Sequence, residues 1–394
     1  MFSRQLLLIP LLCAVGAMIS TAVTHADDSG HIKILKEVLY ERGISAIPNA
    51  MSRAPNGDLV IAGFISGKGW ATRIGVNGQV LWRYIRSQNE PPRSVKSRIA
   101  GAVLLKDESV LLCGTIDVGK RPFAQVTRLS KQGTLLSEES LDSPEDKSVI
   151  LSDLRHCVAY RDGAAAIGIA LGPDPSQTAN APSLRIVFLD ANAHRYAEHF
   201  ISVPGILTEM TSDGQSVTLS FIGGYRTANG DAHTTTRVMR LDSSGAVLAD
   251  STIEGGGFLV HRQADSALGL VLEPPAGLQL HRLGQNYEDL SVVTGPKEHL
   301  IPTRTWFLDN GSLVSFGQTD VGGSSSASVT WLSPNLRDKQ IVMFKPLFTA
   351  FKVDAAVSSG RAGEFIVARG INPRGIPGSQ DDPTGLLLTT ISIN

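Results

Sequence analysis

The chain has 394 residues, with 36 Lys and Arg against 37 Asp and Glu, a formal net charge of −1. That near balance argues against a nucleic-acid partner, which favours a clear basic excess. Its three cysteines are too few for a disulfide-stapled scaffold.

Residues 1–26 read as a secretory signal peptide. Arg4 supplies the positive start, Leu6 to Ile19 is apolar, and Thr24-His25-Ala26 ends in a small residue suited to cleavage. The apolar stretch is interrupted by Pro10 and falls short of the ~20 residues that a membrane span needs. Leu12 before Cys13 does not suit lipid attachment. The expectation is an exported chain, periplasmic or extracellular, with no membrane span after cleavage and residues 27–394 as one domain.

His31 to Tyr40 is strand-like but has no turn partner before it. From Ala54 to Trp82 the chain reads as three strands, with hairpin signals at Asn56-Gly57 and Asn77-Gly78. Each Asn-Gly pair is expected to form a tight two-residue turn with both central residues at positive φ. The first of these turns recurs at Asp107-Glu108, Asp162-Gly163, Asp213-Gly214, Asp265-Ser266, Asn310-Gly311 and Ala362-Gly363, at separations of 45 to 55 residues. A short apolar run follows each one, from Leu59-Val-Ile-Ala to Phe365-Ile-Val-Ala. A third-strand signature recurs as well. Thr72-Arg-Ile-Gly-Val-Asn-Gly matches Thr127-Arg-Leu-Ser-Lys-Gln-Gly and Met239-Arg-Leu-Asp-Ser-Ser-Gly, with degraded copies at Val187, Leu280 and Thr330. The last copy, from Leu387, runs into the C-terminus without a fourth strand.

Repeats of about fifty residues with four short strands each are the size of propeller blades. The expected fold is all-β: a seven-bladed β-propeller of four-stranded antiparallel blades. Ile32 to Tyr40 would supply the strand missing from the C-terminal blade and close the ring. The cadence of Asn-Gly, apolar run, Gly, Arg-Leu, Ser-Gly and Val-Leu-Trp resembles the repeats of bacterial exported β-propeller proteins with Asp/Asn-Gly-rich blades. The resemblance covers nearly all of residues 27–394. It implies a fold and no particular activity, because such rings host enzymes, ligand binders and interaction platforms. The Gly-His and Trp-Asp pairs of WD40 blades, the paired glycines of kelch repeats and the tryptophan cadence of quinone-dependent dehydrogenases are all missing.

Cys113 and Cys157 each lie in an apolar strand-like run. They read either as two buried thiols or as a disulfide between neighbouring sheets.

Polar residues at the start of innermost strands are candidates to line a channel mouth: Asn49, Arg98, Arg155, Glu209, His261, Arg304, Lys352 and Asp354. Four of these eight are Arg or Lys, which suits an anionic group or an acidic loop. The alternative is that they pair with each other and with strand ends. Loops between second and third strands are expected to form a recognition face, with Trp70, Lys120, Arg121, Tyr225 and Arg374 as partner contacts. The longer ones run from Gly172 to Ser183, Gly223 to Thr235, Gln318 to Ala327 and Gly370 to Thr384, and Gly322 to Ser326 reads as a flexible tip.

Catalytic signatures are missing. There is no Gly-x-Ser-x-Gly elbow, no His-Glu-x-x-His and no phosphate-binding glycine loop. No metal site, catalytic residue or cofactor is expected, so the reading leans away from an enzyme. The leading expectation is a monomeric, non-enzymatic platform for a protein or surface ligand. The competing readings are a carbohydrate hydrolase or lyase, for which Glu209 and Asp354 are the only carboxylate pair to nominate, and a small-molecule or metal binder.

Overall fold

The computed structural model describes residues 30–41, 46–65, 67–86, 96–118, 121–141, 150–171, 183–202, 205–226, 232–262, 268–272, 278–284, 287–295, 301–321, 324–344, 353–371 and 385–394. Among these, 28 strands form six hydrogen-bonded sheets arranged as a propeller. The first blade holds β2 (Ala46–Arg53), β3 (Leu59–Ile65), β4 (Lys68–Ile74) and β5 (Val80–Ile85). The second holds β6 (Lys96–Leu104), β7 (Val110–Val118), β8 (Arg121–Leu129) and β9 (Leu135–Ser140). The third holds β10 (Ile150–Tyr160), β11 (Gly163–Leu171), β12 (Ser183–Leu189) and β13 (Arg195–Ser202). The fourth holds β14 (Ile206–Ser212), β15 (Val217–Arg226), β16 (Ala232–Leu241) and β17 (Val247–Glu254).

The fifth blade corrects the expected count. It has eight strands: β18 (Gly257–Arg262), β19 (Leu268–Leu272), β20 (Gln279–Leu283), β21 (Asp289–Thr294), β22 (Ile301–Phe307), β23 (Leu313–Val321), β24 (Ser324–Leu332) and β25 (Lys339–Met343). Two repeat units merge there, because the inner strands β18 and β22 pair in parallel at His261 with Trp306 and Arg262 with Phe307. The ring therefore has six blades, one of double width, rather than seven.

The sixth blade joins both ends of the chain. Strands β26 (Ala355–Ser358), β27 (Glu364–Ile371) and β28 (Gly385–Ile393) are completed by β1 (Ile32–Tyr40), which pairs antiparallel with β28 from Ile32–Ile393 to Tyr40–Leu386. The leftover N-terminal strand thus covers an edge that β28 would otherwise expose.

Burial follows from this stacking. Middle strands are packed on both faces, so β3 reads as an apolar run with six of seven residues buried. Outer strands face solvent and alternate, as in β9. The second-strand and third-strand turns share one chemistry. In each hairpin a single residue is left-handed: Gly57 and Gly78 at φ 93° and 85°, while Asn56 and Asn77 keep negative φ. The Gly78 N–H donates to Gly75 O and the ladder shifts register after Arg73. This is a type I turn closed by a left-handed bulge residue, in place of the expected tight two-residue turn. In the degraded copies Ala193, Tyr287 and Leu336 take the left-handed place at φ 73°, 63° and 60°.

The repeated third-strand arginine secures the first turn of its own blade. Arg73 Nε donates to Asp58 at 3.0 Å, Arg128 Nη2 to Asp107 at 2.7 Å and Arg240 Nη2 to Asp213 at 2.9 Å. The first two also reach the next blade: Arg73 bonds Glu108 and Arg128 bonds Asn192. A second seam contact repeats on the outer strands. Tyr40 Oη donates to Gly78 O, Trp82 Nε1 donates to Lys131 O, and His199 Nε2 contacts Ser243 O, each on the next blade's outer turn.

Cys113 on β7 and Cys157 on β10 form a disulfide that joins the second and third blades. Gly101 makes room for it: a Cβ there would stand 2.4 Å from Cys157 Cβ.

Several expected loops are hairpin extensions. β15 continues to Arg226 and β16 begins at Ala232, so strand replaces most of the 223–235 loop. Likewise β23 reaches Val321 and β24 starts at Ser324, which puts Ser324–Ser326 in a strand and not on a free tip. Polar runs such as Thr234–Thr236 and Ser324–Ser326 obscured these strands.

Candidate functional site

The seven inner strands β2, β6, β10, β14, β18, β22 and β26 surround one cavity of about 1830 Å³. A repeated irregularity shapes its wall. In five of these strands the ladder to the second strand skips a residue, at Asn49, Ala100, Arg155, Thr208 and Thr303, and β10 also skips Ser152. A bulge of this kind re-aims the local side chains. Two of them bridge to the next repeat in the same way. Asn49 Nδ2 donates to Ile99 O at 2.9 Å and Thr303 Oγ1 donates to Val353 O. Counting from the bulges, His156, Glu209 and Arg304 occupy equivalent positions one residue on.

The cavity wall brings together six of the eight residues nominated from sequence: Asn49, Arg98, Arg155, Glu209, Arg304 and Asp354. His261 lies in β18, paired with Leu268 on one side and Trp306 on the other. Lys352 falls outside the described residues, as do Lys120 and Arg374. Arg121 opens β8, and Tyr225 sits in β15 opposite His233. Trp70 is corrected: it is fully buried in β4 within the core that joins the first and sixth blades, so it offers no surface to a partner. Its place beside glycines suggested a loop tip, but the strand starts at Lys68.

Electrostatics in the cavity are dominated by crowded cations. Burial, then the charge of Arg155, hold the Arg98 guanidinium below its usual range, with Asp117 opposing them. Burial does the same to Arg304, although its side chain keeps 35% of its surface open to the cavity. His156 is pushed down to about 4, first by burial and then by the charges of Arg304 and Arg155. It is therefore neutral at pH 7. The carboxylates are engaged. Glu209 accepts from Arg304 Nη1, and Asp354 Oδ2 accepts from the Gly370 N–H at 2.7 Å. Further along the wall His233 Nδ1 and Glu254 Oε1 pair at 2.7 Å.

Sequence reasoning does not single out His156, Met51, Phe258 or Trp306, which also line the cavity. Met51 and Trp306 lie two and three residues past the bulges of their strands, whereas Phe258 lies in β18, whose ladder to β19 has no bulge.

Among the described residues no group of three His, Cys, Asp or Glu is placed to hold a metal ion, and no helix is long and apolar enough to cross a membrane. No protein-family model matches the chain. No curated protein matches it in sequence. Solved structures match it as a fold at low identity. A protein of unknown function from Bacteroides caccae is 13% identical over 81% of this chain and 90% of its own, with a TM-score of 0.34. Sqt1 from Chaetomium thermophilum is 10% identical over 89% and 88%, with a TM-score of 0.47. The polysaccharide lyase Uly1 is 11% identical over 90% and 92%, with a TM-score of 0.48.

Proposed function

We propose that this protein is an exported, non-enzymatic β-propeller that binds its ligand through an anionic group at the mouth of the central cavity. The observation that carries the reading is the convergence of Arg98, Arg155 and Arg304 around one cavity, where burial disfavours the charge of Arg98 and Arg304 and the charge of Arg155 adds repulsion at Arg98. An oxyanion placed among them would relieve that repulsion and accept charge-assisted hydrogen bonds.

Export is supported by the N-terminal signal-like stretch and by the Cys113–Cys157 disulfide, which persists in an oxidising compartment. The engaged state of Glu209 and Asp354 counts against a glycosidase, which needs one carboxyl as acid and the other as base or nucleophile.

Calorimetric titration with sodium sulfate at constant ionic strength tests the binding reading. The expected result is saturable binding that weakens tenfold or more in Arg98→Gln/Arg155→Gln, since a hydrogen bond to a charged group contributes about 1.5–3 kcal/mol. Equal binding by the folded double variant and the parent removes the reading.

A further inference from the structure

The cavity has more in it than an anion needs. Its volume of about 1830 Å³ exceeds the roughly 300–1,000 Å³ of ordinary small-ligand pockets. Three of its cations share one level of the wall. Arg98, Arg155 and Arg304 lie within two residues of the bulges in their strands, while Arg53 stands four residues past the bulge of β2. Three residues beyond the bulge the same strands present Val158 and Trp306, and Val357 stands three residues past Asp354. Met51 and Phe258 line the cavity as well. All five of these apolar side chains are half-buried, so each leaves part of its surface facing the bore. Trp306 is held rigidly, edge-on to Phe316 and tilted against Phe365 at 5.6 and 5.0 Å between ring centroids.

Resting on the oxyanion reading above, we infer that the cavity is built for an amphiphilic anion: one oxyanion head on the arginines and an unbranched apolar body along Met51, Val158, Phe258, Trp306 and Val357. Charge complementarity fixes the orientation of such a ligand. The head stays at the cationic level, and the body displaces water from apolar wall. A bare inorganic anion would leave that wall wet, and an acidic peptide would set backbone amides against side chains that cannot bond them.

The test is a calorimetric series of sodium acetate, hexanoate and decanoate at fixed pH and ionic strength, with decanol as the uncharged control. Affinity should rise about two- to fourfold for each methylene buried. Arg155→Gln should weaken all three carboxylates by the same factor. Trp306→Ala should flatten the dependence on chain length and leave acetate unchanged. The nearly isosteric Val357→Thr reads the same flattening if the tryptophan variant does not fold. A flat series, with acetate and sulfate still dependent on Arg155, overturns the amphiphile and leaves the oxyanion site standing. Decanol binding as tightly as decanoate also overturns it. No binding by any carboxylate or sulfate overturns both.

Discussion

Arg304 Nη1 donates to Glu209 Oε1 inside the central cavity, passing over the strand between them to join residues 95 positions apart. The Glu209 side chain is only 13% exposed. The pair offsets part of the positive charge that the cavity offers.

Replacing Glu209 with Gln keeps the shape and a hydrogen-bond acceptor but removes the competing charge. Sulfate affinity should then rise by about tenfold, the effect of about one pKa unit's worth of interaction. Titration calorimetry of the folded variant reads this directly, and unchanged affinity would mean that Arg304 does not face the anion.

His156 gives the native state a pH dependence. Its folded value is about 4, against 6.5 for an unperturbed imidazole. The unfolded chain therefore binds the proton more readily, and stability is fully present above pH 6.5. It is lost as pH falls from there toward 4, by about 3 kcal/mol over the window. Denaturant melts between pH 7 and 4 should show this slope in the parent and a shallower one in His156→Asn. Parallel profiles would remove the histidine from the explanation.

The Cys113–Cys157 link closes a chain segment with a sequence separation of 44 residues. Loop-closure entropy assigns such a cross-link about 4 kcal/mol. Cys113→Ala/Cys157→Ala should lower the melting temperature, and a reductant should lower the parent to match while leaving the variant unmoved. A reductant effect of equal size on both would place the change elsewhere.

Two glycines at equivalent turns separate backbone strain from crowding. Gly78 and Gly133 share a left-handed conformation, at φ 85° and 83°. A Cβ at Gly78 would lie 3.1 Å from the Tyr40 hydroxyl, whereas one at Gly133 would lie 2.6 Å from Trp82 Cγ. Gly78→Ala should cost about 1 kcal/mol, the left-handed penalty alone. Gly133→Ala should cost clearly more, because the indole that caps its turn must move. Equal losses in urea melts would argue that the indole gives way freely.

How far the sequence could be read follows from where the repeats are strict. The Asn-Gly turns, the apolar second strands and the Arg-Leu third strands are short-range signals, and each corresponds to an observed element. Ile32 to Tyr40 was legible as the closing strand because it lacked a local partner. The pairing that merges two units at His261 and Trp306 was not legible, since it depends on how closely two inner strands approach after the ring has closed. Nor was the burial of Trp70, because adjacent glycines look alike in a loop tip and in a tightly packed strand. In the cavity the cationic residues could be nominated by their place in the repeat. The apolar level beyond them was hidden, because valine and tryptophan in an inner strand look the same whether they face a seam or the bore.

The most direct measurement is anomalous diffraction from crystals soaked in sodium selenate at an ionic strength matched to the mother liquor. A selenium peak within hydrogen-bonding reach of Arg98, Arg155 or Arg304, lost in Arg98→Gln/Arg155→Gln crystals, is the expected result. Selenate seen only on the outer surface, with the cavity vacant, would contradict the assignment of the arginine wall as an anion site.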